Sequence, residues 1–368
     1  MEELIKDLET IVDVRQQSKV LHKMKDIILL VLFGLLANAD EWVEIEVFGE
    51  EHEEFLREYL ELPNGIPSHD TIQRVMAVVP VERLQKFKAL WYEYLNSEKG
   101  DKIQKFLAID GKTQRGNRNK NQKANHIVNA VDENGFCVSE VAVDSKSNEI
   151  TAIPKLLDTM DIKNTIVTID AMGTQREIAA KIKSKRADYV LALKKNQEML
   201  FEDVSLYFAD KEFLSKCKYT KTTEKAHGQI EKREYWQTSD IDWLTQRGEW
   251  KGLKSIVMTR NTITKDEKTI IEERYFISSL EENINLLSIA IRKHWMVEST
   301  HWHLDVTFRE DGNKTLEKQA AFNLNILRKI ALSILKIFEV SHKPRSLKKK
   351  RFAICTNPEK LLKKLISL

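Results

Sequence analysis

Two aspartates that directly follow short apolar runs are the residues of this sequence best suited to chemistry. Asp110 follows Phe106–Ile109, and Asp170 follows a β-branched run that begins at Thr165. Such runs predict strands that are buried on both faces of a mostly parallel sheet. Gly111 is expected to let the backbone turn away after the first acid. Because ligands bind in open α/β sheets at the carboxyl ends of the strands, both carboxylates are expected in that crevice.

A third acid lies in a different kind of segment. Glu298 ends the run Trp295–Glu298, which has helical rather than strand character. Together with Asp110 and Asp170 it gives three carboxylates, and hard oxygen ligands of this kind suit Mg²⁺ or Mn²⁺. Two such ions, roughly 3.5–4 Å apart, can support an in-line displacement at phosphorus. If the three acids meet in space, they predict a metal-dependent phosphoryl-transfer site.

The composition is that of an ordinary globular protein. The chain has 368 residues, a length that is enough for two or three domains. Of these residues 42% are hydrophobic and 31% are charged. Its formal net charge of +3 does not by itself indicate nucleic acid. Three scattered cysteines without a Cys-x-x-Cys spacing favour a reduced cytosolic protein without a disulfide framework or a zinc site. The most apolar stretch, residues 27–37, is shorter than the ~20 residues that span a bilayer, so it predicts a buried helix.

Residues 1–97 are predicted to form a helical N-terminal domain, because apolar positions recur there at helical spacing. A break rich in Pro, Asn and Gly spans Leu62–Ser68, and Ser68 is a suitable N-cap for the helix that follows. Two interpretations of this domain stay open. It is either a module for DNA binding or oligomerisation, or a helical cap packed on the next domain.

Residues 98–340 are predicted to form an α/β domain. The order of elements is strand, hairpin, helix, strand, helix, strand, with Asn134-Gly135 as a strong hairpin signal. This order indicates a mixed sheet with helices against it. Short alternating runs between about residues 215 and 280 predict a β-rich insertion, whose aromatic residues either pack in the core or stack on bases. The segment His227-Gly228 lies in this insertion, and the sequence assigns it no role.

Two basic segments are candidates for contacts with phosphate. The stretch 112–123 carries five cations and no acid directly after the first strand, with Lys112, Arg115 and Arg118 as its candidates. The final segment, residues 341–368, is also strongly basic. A solvated surface and a contact with nucleic acid are both open for it.

The segment from residue 283 to residue 340 is predicted to be helical. On a helix His294 and Glu298 share a face, because they are four residues apart. Trp295 and Trp302, about two turns apart, are expected to bury that face against the sheet.

Three blocks of the sequence resemble the active-site blocks of the DDE insertion-sequence transposases. They are residues 106–112, 168–173 and 292–311 (RKHWMVESTHWHLDVTFRED), and the ISAs-type group with the H-repeat-associated proteins is the most similar. Residues 62–71 resemble a run in the helical domain that precedes the nuclease domain in that group. The resemblance extends over nearly the whole chain, with all four segments in order.

The resemblance implies an RNase H-like fold with a β-strand insertion, and cleavage and strand transfer of insertion-sequence ends with two Mg²⁺ or Mn²⁺ ions. Carried over by position, Asp110, Asp170 and Glu298 would be the catalytic, metal-binding triad. The family also implies double-stranded DNA partners, namely terminal inverted repeats and target, and a homodimer on DNA. A cytoplasmic location near the bacterial nucleoid is expected.

The sequence departs from the family pattern around the glutamate. Many DDE transposases have Tyr-x2-Arg-x3-Glu-x6-Lys there, whereas this chain has Ile291, His294 and Asp305 in place of the Tyr, Arg and Lys. Phosphate contacts must then come from elsewhere. The candidate cations are Lys112, Arg115, Arg118, Arg292 and Lys293.

Two alternatives to a transposase stay open. One is an RNase H-like nuclease or resolvase that cuts DNA without strand transfer. The other is an inactive, element-derived protein that only binds DNA or a partner. The presence of all three acids argues against a decayed active site.

Overall fold

The first part of the chain is helical in the structure, a computed structural model that describes residues 8, 13–97, 106–143, 148–226, 228–266 and 268–366. His227 and residues 98–105, which follow the predicted boundary between the two domains, lie outside this range. Every element described before residue 98 is a helix. These are a 3₁₀ turn at Gln17–Lys19, then α1 (Met24–Leu36), α2 (Trp42–Glu51), α3 (Glu53–Leu56), α4 (His69–Met76) and α5 (Val81–Ser97). The side chain of Ser68 accepts a hydrogen bond from the backbone N–H of Thr71 and caps α4, as predicted.

The described strands form one mixed sheet of nine strands. They are β1 (Phe106–Thr113), β2 (His126–Asp132), β3 (Cys137–Ala142), β4 (Ile166–Ile169), β5 (Asp188–Leu193), β6 (Lys218–Ala226), β7 (Gln229–Thr238), β8 (Ser255–Lys265) and β9 (Lys268–Ser278). Their order is β3-β2-β1-β4-β5-β9-β8-β7-β6. Only β1–β4 and β4–β5 are parallel pairs. The mixed α/β class predicted from the sequence is therefore confirmed, and the order of β1 to β5 is consistent with an RNase H-like sheet.

Eight α-helices of the described chain follow β3, and those between residues 149 and 302 cover both faces of the central strands. They are α6 (Glu149–Asp158), α7 (Arg176–Ser184), α8 (Glu198–Ala209), α9 (Lys211–Lys216), α10 (Ile284–Trp302), α11 (Lys318–Ile337), α12 (Leu347–Thr356) and α13 (Pro358–Ile366). Leu107 and Ile109 pack on the side of α6 and α7, whereas Phe106 packs on the side of α10. Because side chains alternate along a strand, Asp110 belongs to the α10 face.

Strand β1 does not end at Asp110. It continues through Gly111 to Thr113, and these residues pair with Val128 and His126 of β2. The predicted turn at Gly111 is wrong, because β1 loses its neighbour β4 there but keeps its neighbour β2. The predicted hairpin between β2 and β3 is present, with Gly135 in the left-handed region at φ +78°.

Strands β6 to β9 extend the same sheet instead of forming a separate body. β9 pairs with β5 from Val190 opposite Ser278 to Leu193 opposite Tyr275, and β8, β7 and β6 follow in turn. Trp250, Trp236 and Tyr235 are buried here, so core packing accounts for these aromatic residues.

Helix α10 presents its buried residues, such as Leu287, Ala290 and Val297, to the sheet. Trp295 and Trp302 are 45% and 55% exposed, so the prediction that they bury this face is wrong. Both tryptophans lie away from the apolar stripe, on the exposed side of the helix that also carries Glu298.

The N-terminal helices do not enclose a core of their own. The apolar residues of α1, α2, α4 and α5 pack in one cluster with those of α11 and with Ile354, Leu362 and Leu365 near the end of the chain. The predicted buried helix at residues 27–37 lies at the centre of this cluster as α1. Within the described parts of the chain, no helix is long and apolar enough to cross a bilayer. The described helices of this part therefore pack on the rest of the chain, as the cap interpretation expects, and a role in DNA binding or oligomerisation stays a prediction.

The basic C-terminal segment is folded onto the rest of the chain. Two of its cations are buried: Arg351 Nη2 lies 2.6 Å from Asp40 Oδ1, and Lys350 Nζ lies 2.7 Å from Glu339 Oε1. These two residues are therefore bound within the protein and are not free to contact nucleic acid.

Candidate active site

The two predicted strand aspartates lie side by side at the carboxyl end of the parallel strands. Ile109 of β1 is opposite Ile169 of β4, so Asp110 and Asp170 occupy neighbouring positions. The backbone N–H of Gly173 donates to Asp170 Oδ1 at 3.2 Å, which holds that carboxylate at the end of its strand.

A further carboxylate, Glu149, joins this pair. Asp110, Glu149 and Asp170 each offer an oxygen, and the three oxygens lie within 4.8 Å of one another. Glu149 is the first residue of α6, whose N-terminus is capped by Asn148. Its Oε1 lies 2.6 Å from Nε2 of His126, at the start of β2. Carboxylate oxygens from β1, from the residue after β4 and from the start of α6 thus lie close together.

Sequence reasoning missed Glu149. The pair Asn148-Glu149 is a recognisable helix start, with a capping side chain followed by an acid in the first turn. That signal predicts a stabilised helix N-terminus but does not show that this terminus faces β1.

Glu298 lines the same groove as Asp110 and Asp170 but is not part of the compact group with Glu149. It is carried by α10, and His294 lines the groove one turn earlier. The predicted common face of His294 and Glu298 is consistent with this arrangement.

Burial and like charges act together on these acids. Burial raises the pKa of Asp170, the N–H of Gly173 partly offsets the rise, and the charges of Asp110 and Glu149 add to it. Burial also raises the pKa of Glu298, again with a contribution from Asp110. A bound divalent cation would relieve this repulsion and favour the ionised carboxylates.

A chain of polar side chains orients Asp110 from behind. Lys329 Nζ donates to Asn129 Oδ1 at 2.6 Å, which turns the amide nitrogen of Asn129 towards His301. That nitrogen lies 3.1 Å from His301 Nε2, so Nε2 accepts and the ring proton is on Nδ1. Nδ1 in turn lies 3.5 Å from Asp110 Oδ2. The imidazole therefore presents its N–H to the carboxylate.

The same chain leads to a buried ion cluster. Lys329 lies 3.2 Å from Glu140 Oε2, and Lys88 of α5 is paired with the same oxygen. Burial alone would raise the pKa of Glu140, but Lys329 and Lys88 outweigh it and bring the pKa to about 2. The helical N-terminal part of the chain is thus connected through Lys88 to the support of Asp110.

The groove that contains Asp110, Asp170 and Glu298 has a volume of about 590 Å³. Basic side chains also line it. Strands β7, β8 and β9 supply Arg233, Arg260 and Arg274, and α10 supplies Arg292. Each of these arginines is paired with a glutamate. The distance from the guanidinium nitrogen to the carboxylate oxygen is 2.9 Å for Arg233–Glu224, 2.8 Å for Arg260–Glu273, 2.9 Å for Arg274–Glu272 and 3.4 Å for Arg292–Glu224. Sequence reasoning missed the three strand arginines, because alternation alone does not show which strand face borders the acids.

The predicted phosphate contact Lys112 is buried. Its side chain is 7% exposed, and Nζ lies 2.5 Å from Asp305, 3.3 Å from Glu310 and 3.4 Å from Asp311. Burial tends to lower the pKa of Lys112, but these three carboxylates raise it overall. Because three carboxylates compensate the positive charge of Lys112, this side chain is not free to bind phosphate. Its placement therefore does not support the predicted role.

The other predicted cations fall into two groups. The side chain of Arg115 is 79% exposed and Arg118 is also exposed, both in the loop after β1. Arg292 lines the groove, whereas Lys293 Nζ donates to the backbone oxygen of Glu133 at 3.1 Å, in the β2–β3 turn. Arg115, Arg118 and Arg292 are therefore available for phosphate, and Lys293 is engaged within the protein.

Comparison with known proteins agrees with this geometry. Residues 5–92 match the family model described as DDE_Tnp_1-associated, and residues 101–334 match the model of the Transposase DDE domain. "Putative transposase YncI" of Escherichia coli O157:H7 is 39% identical over 345 residues, which cover 91% of this chain and 88% of that protein.

Two further relatives carry different names. "H repeat-associated putative transposase YhhI" of Escherichia coli K12 is 37% identical over 346 residues, covering 91% of this chain and 90% of its own. "Inactive transposase YbfQ" of the same strain is 43% identical over 77 residues, which cover 21% of this chain and 92% of that protein. Because the domain match and the long relatives span most of the sequence, the chain belongs to the DDE transposase family and to its H repeat-associated group.

Proposed function

We propose that this protein cleaves the ends of an insertion sequence and joins them to target DNA, with Asp110, Asp170 and Glu298 as its catalytic, metal-binding residues. The observation that carries the proposal is that all three acids line one groove in a chain that matches the Transposase DDE domain. The strand order from β1 to β5 supports an RNase H-like framework for this site.

The donor set fits divalent magnesium or manganese. Asp110, Glu149 and Asp170, whose oxygens converge, are all carboxylates, and hard oxygen ligands favour these ions over zinc or copper. When bound in a pair, such ions activate an attacking hydroxyl and stabilise the leaving oxygen. The chain itself fixes the carboxylates: His301 orients Asp110, and the N–H of Gly173 holds Asp170.

Four arginines of the groove are proposed as contacts for the DNA backbone. Arg233, Arg260, Arg274 and Arg292 line it, and each is paired with a glutamate in the free protein. A phosphate that enters can replace the glutamate as the partner of a guanidinium, which binds phosphate in a bidentate manner. Arg115 and Arg118 are exposed beyond the end of β1 and are proposed as further contacts.

The proposed substrates are double-stranded terminal inverted repeats and target DNA. We propose that two copies of the chain hold the paired ends, and that the protein acts in the bacterial cytoplasm at the nucleoid. These proposals rest on family membership.

The first test replaces each acid by its amide. Asp110→Asn, Asp170→Asn and Glu298→Gln are assayed with labelled duplex carrying the terminal repeat, Mg²⁺ and target DNA. We expect each change to lower cleavage and joining by roughly a thousandfold or more, because each removes a ligand charge on which the transition state depends.

Asp158→Asn serves as the matched control, because Asp158 is an exposed aspartate at the far end of α6 that pairs with Lys181. It should leave both activities unchanged. Near-normal cleavage by any of the three amide variants would remove that residue from the proposed site. Cleavage without joined products would favour a nuclease, and a wild type as inactive as a variant that carries all three changes would favour a DNA-binding protein.

A further inference from the structure

We infer that Glu149 is a fourth carboxylate of the metal site and binds the same divalent ion as Asp110 and Asp170. The inference rests on the proposed function and adds a residue to it. Its basis is the compact group in which the oxygens of these three residues lie within 4.8 Å of one another.

The separation suits one shared ion. Two oxygens on opposite sides of a Mg²⁺ are about 4.2 Å apart, and on opposite sides of a Ca²⁺ about 5 Å. The three carboxylate oxygens, all within 4.8 Å of one another, are therefore close enough to share one Mg²⁺ or Mn²⁺ ion after a small adjustment of their side chains.

Gly111 makes the approach of Glu149 possible. A Cβ at this position would overlap Oε1 of Glu149 and would lie 2.6 Å from Nε2 of His126. Gly111 lies within β1 and is not among the glycines with positive φ, so its backbone conformation does not require glycine. The carboxylate of Glu149 occupies the space that a side chain at Gly111 would need. Gly111 directly follows Asp110 in the chain, so this contact brings Glu149 to the strand that carries Asp110.

His126 fixes the orientation of Glu149. Its Nδ1 lies 2.8 Å from Oγ1 of Thr113 and its Nε2 lies 2.6 Å from Oε1 of Glu149. With the Thr113 hydroxyl donating to Nδ1, the ring donates from Nε2 to the carboxylate. A metal-binding carboxylate held by an imidazole in this way has the geometry of an outer-shell contact around a metal site.

The competing explanation is purely structural. An acid in the first turn of a helix is stabilised by the helix dipole, and His126 would then be only its partner. Metal affinity separates the two explanations, because a structural acid contributes nothing to it.

The experiment measures Mn²⁺ binding to the full chain from the loss of the electron paramagnetic resonance signal of the free ion. The variants are Glu149→Gln, Asp110→Asn and the control Asp158→Asn, each with its fold checked by circular dichroism. We expect Glu149→Gln to weaken Mn²⁺ binding by roughly 10- to 100-fold, Asp110→Asn to weaken it at least as much, and the control to match the wild type.

The outcomes separate the two proposals. Unchanged binding in Glu149→Gln together with weakened binding in Asp110→Asn would overturn the inference and leave the proposed function standing. Absence of Mn²⁺ binding by the wild type, or unchanged binding in both variants, would count against both. If Glu149→Gln does not fold, Glu149→Asp keeps the charge but withdraws the oxygens by one methylene. Wild-type affinity in that variant would overturn the inference.

Discussion

Burial separates two cations that the sequence places three residues apart. Lys112 is surrounded by Asp305, Glu310 and Asp311, whereas the side chain of Arg115 is 79% exposed and lies 3.7 Å from Asp311. The buried ammonium compensates charges that would otherwise be left in a low-dielectric environment. The exposed guanidinium interacts mainly with water and gains little from its partner.

This difference predicts opposite effects of two substitutions. Lys112→Met should lower the free energy of unfolding by about 3–5 kcal/mol, because the buried Glu310 loses a partner. Arg115→Ala should change it by less than about 1 kcal/mol, while weakening binding to duplex DNA. Urea unfolding and a DNA-binding titration measure the two effects. A Lys112→Met protein as stable as the wild type would show that the buried pairs contribute nothing.

The sequence alone identifies a candidate functional residue when the residues around it in the chain already indicate its role. Asp110 and Asp170 are recognisable because an apolar run precedes each one, and Glu298 because its segment resembles a family block. The role inferred for Glu149 depends on the contact of the start of α6 with β1 and β2. No local sequence pattern predicts this contact. The burial of Lys112 likewise depends on the chain after α10, where a π-helical turn at His303–Thr307 carries Asp305.

At the scale of elements, β7, β8 and β9 carry the arginines that face the acids across the groove. β9 is hydrogen bonded to β5 in the central part of the sheet, so the arginine strands and the strand aspartates belong to one sheet. The distance between the acids and these arginines is therefore fixed by main-chain hydrogen bonds and does not depend on a flexible linker.

The salt dependence of DNA binding tests the role of these strands. A double variant, Arg260→Gln with Arg274→Gln, should bind duplex DNA more weakly. The slope of log K against log salt concentration should fall by about 1–2, because about 0.9 is lost for each phosphate contact. Arg247→Gln is the matched control, since Arg247 pairs with Asp242 and does not line the groove. An unchanged slope in the double variant would mean that these arginines do not contact the backbone.

Sequence patterns predict most of these elements but not how they combine. The alternating runs between residues 215 and 280 indicate strands, and the structure has β6 to β9 there. Their continuity with the central sheet was not predictable, because strand pairing depends on partners far apart in the chain. The orientation of α10 shows the same limit: Trp295 and Trp302 are apolar and two turns apart, yet the sheet packs on Leu287, Ala290 and Val297 instead.

One buried acid makes the stability of the entire folded protein depend on pH. Asp26 of α1 is 1% exposed, and burial raises its pKa to about 6, with partial offset from the backbone of Glu61 and from Lys25 and Lys23. A raised pKa means that the folded protein binds this proton more tightly than the unfolded chain. Its contribution to stability is therefore present at low pH and is lost as the pH rises through about 6.

Asp26→Asn should remove this dependence. At pH 8 the variant should be more stable than the wild type by up to about 3 kcal/mol, since each pKa unit corresponds to about 1.4 kcal/mol. At pH 5 the difference should be smaller, because Asp26 is then mostly protonated in the folded protein. Urea unfolding at both pH values measures it, with the pH 5 comparison as the internal control. Equal differences at the two pH values would rule out Asp26 as the titrating group.

The common core of the N-terminal and C-terminal helices has a consequence for synthesis. Residues of α1 need Ile354, Leu362 and Leu365 to complete their packing, and Arg351 to pair with Asp40. A nascent chain lacks these partners until residues 351–365 have left the ribosome. A chain that is cut before Arg351 should therefore expose the apolar surface of α1, leave Asp40 without this partner and fail to fold despite an intact set of acids.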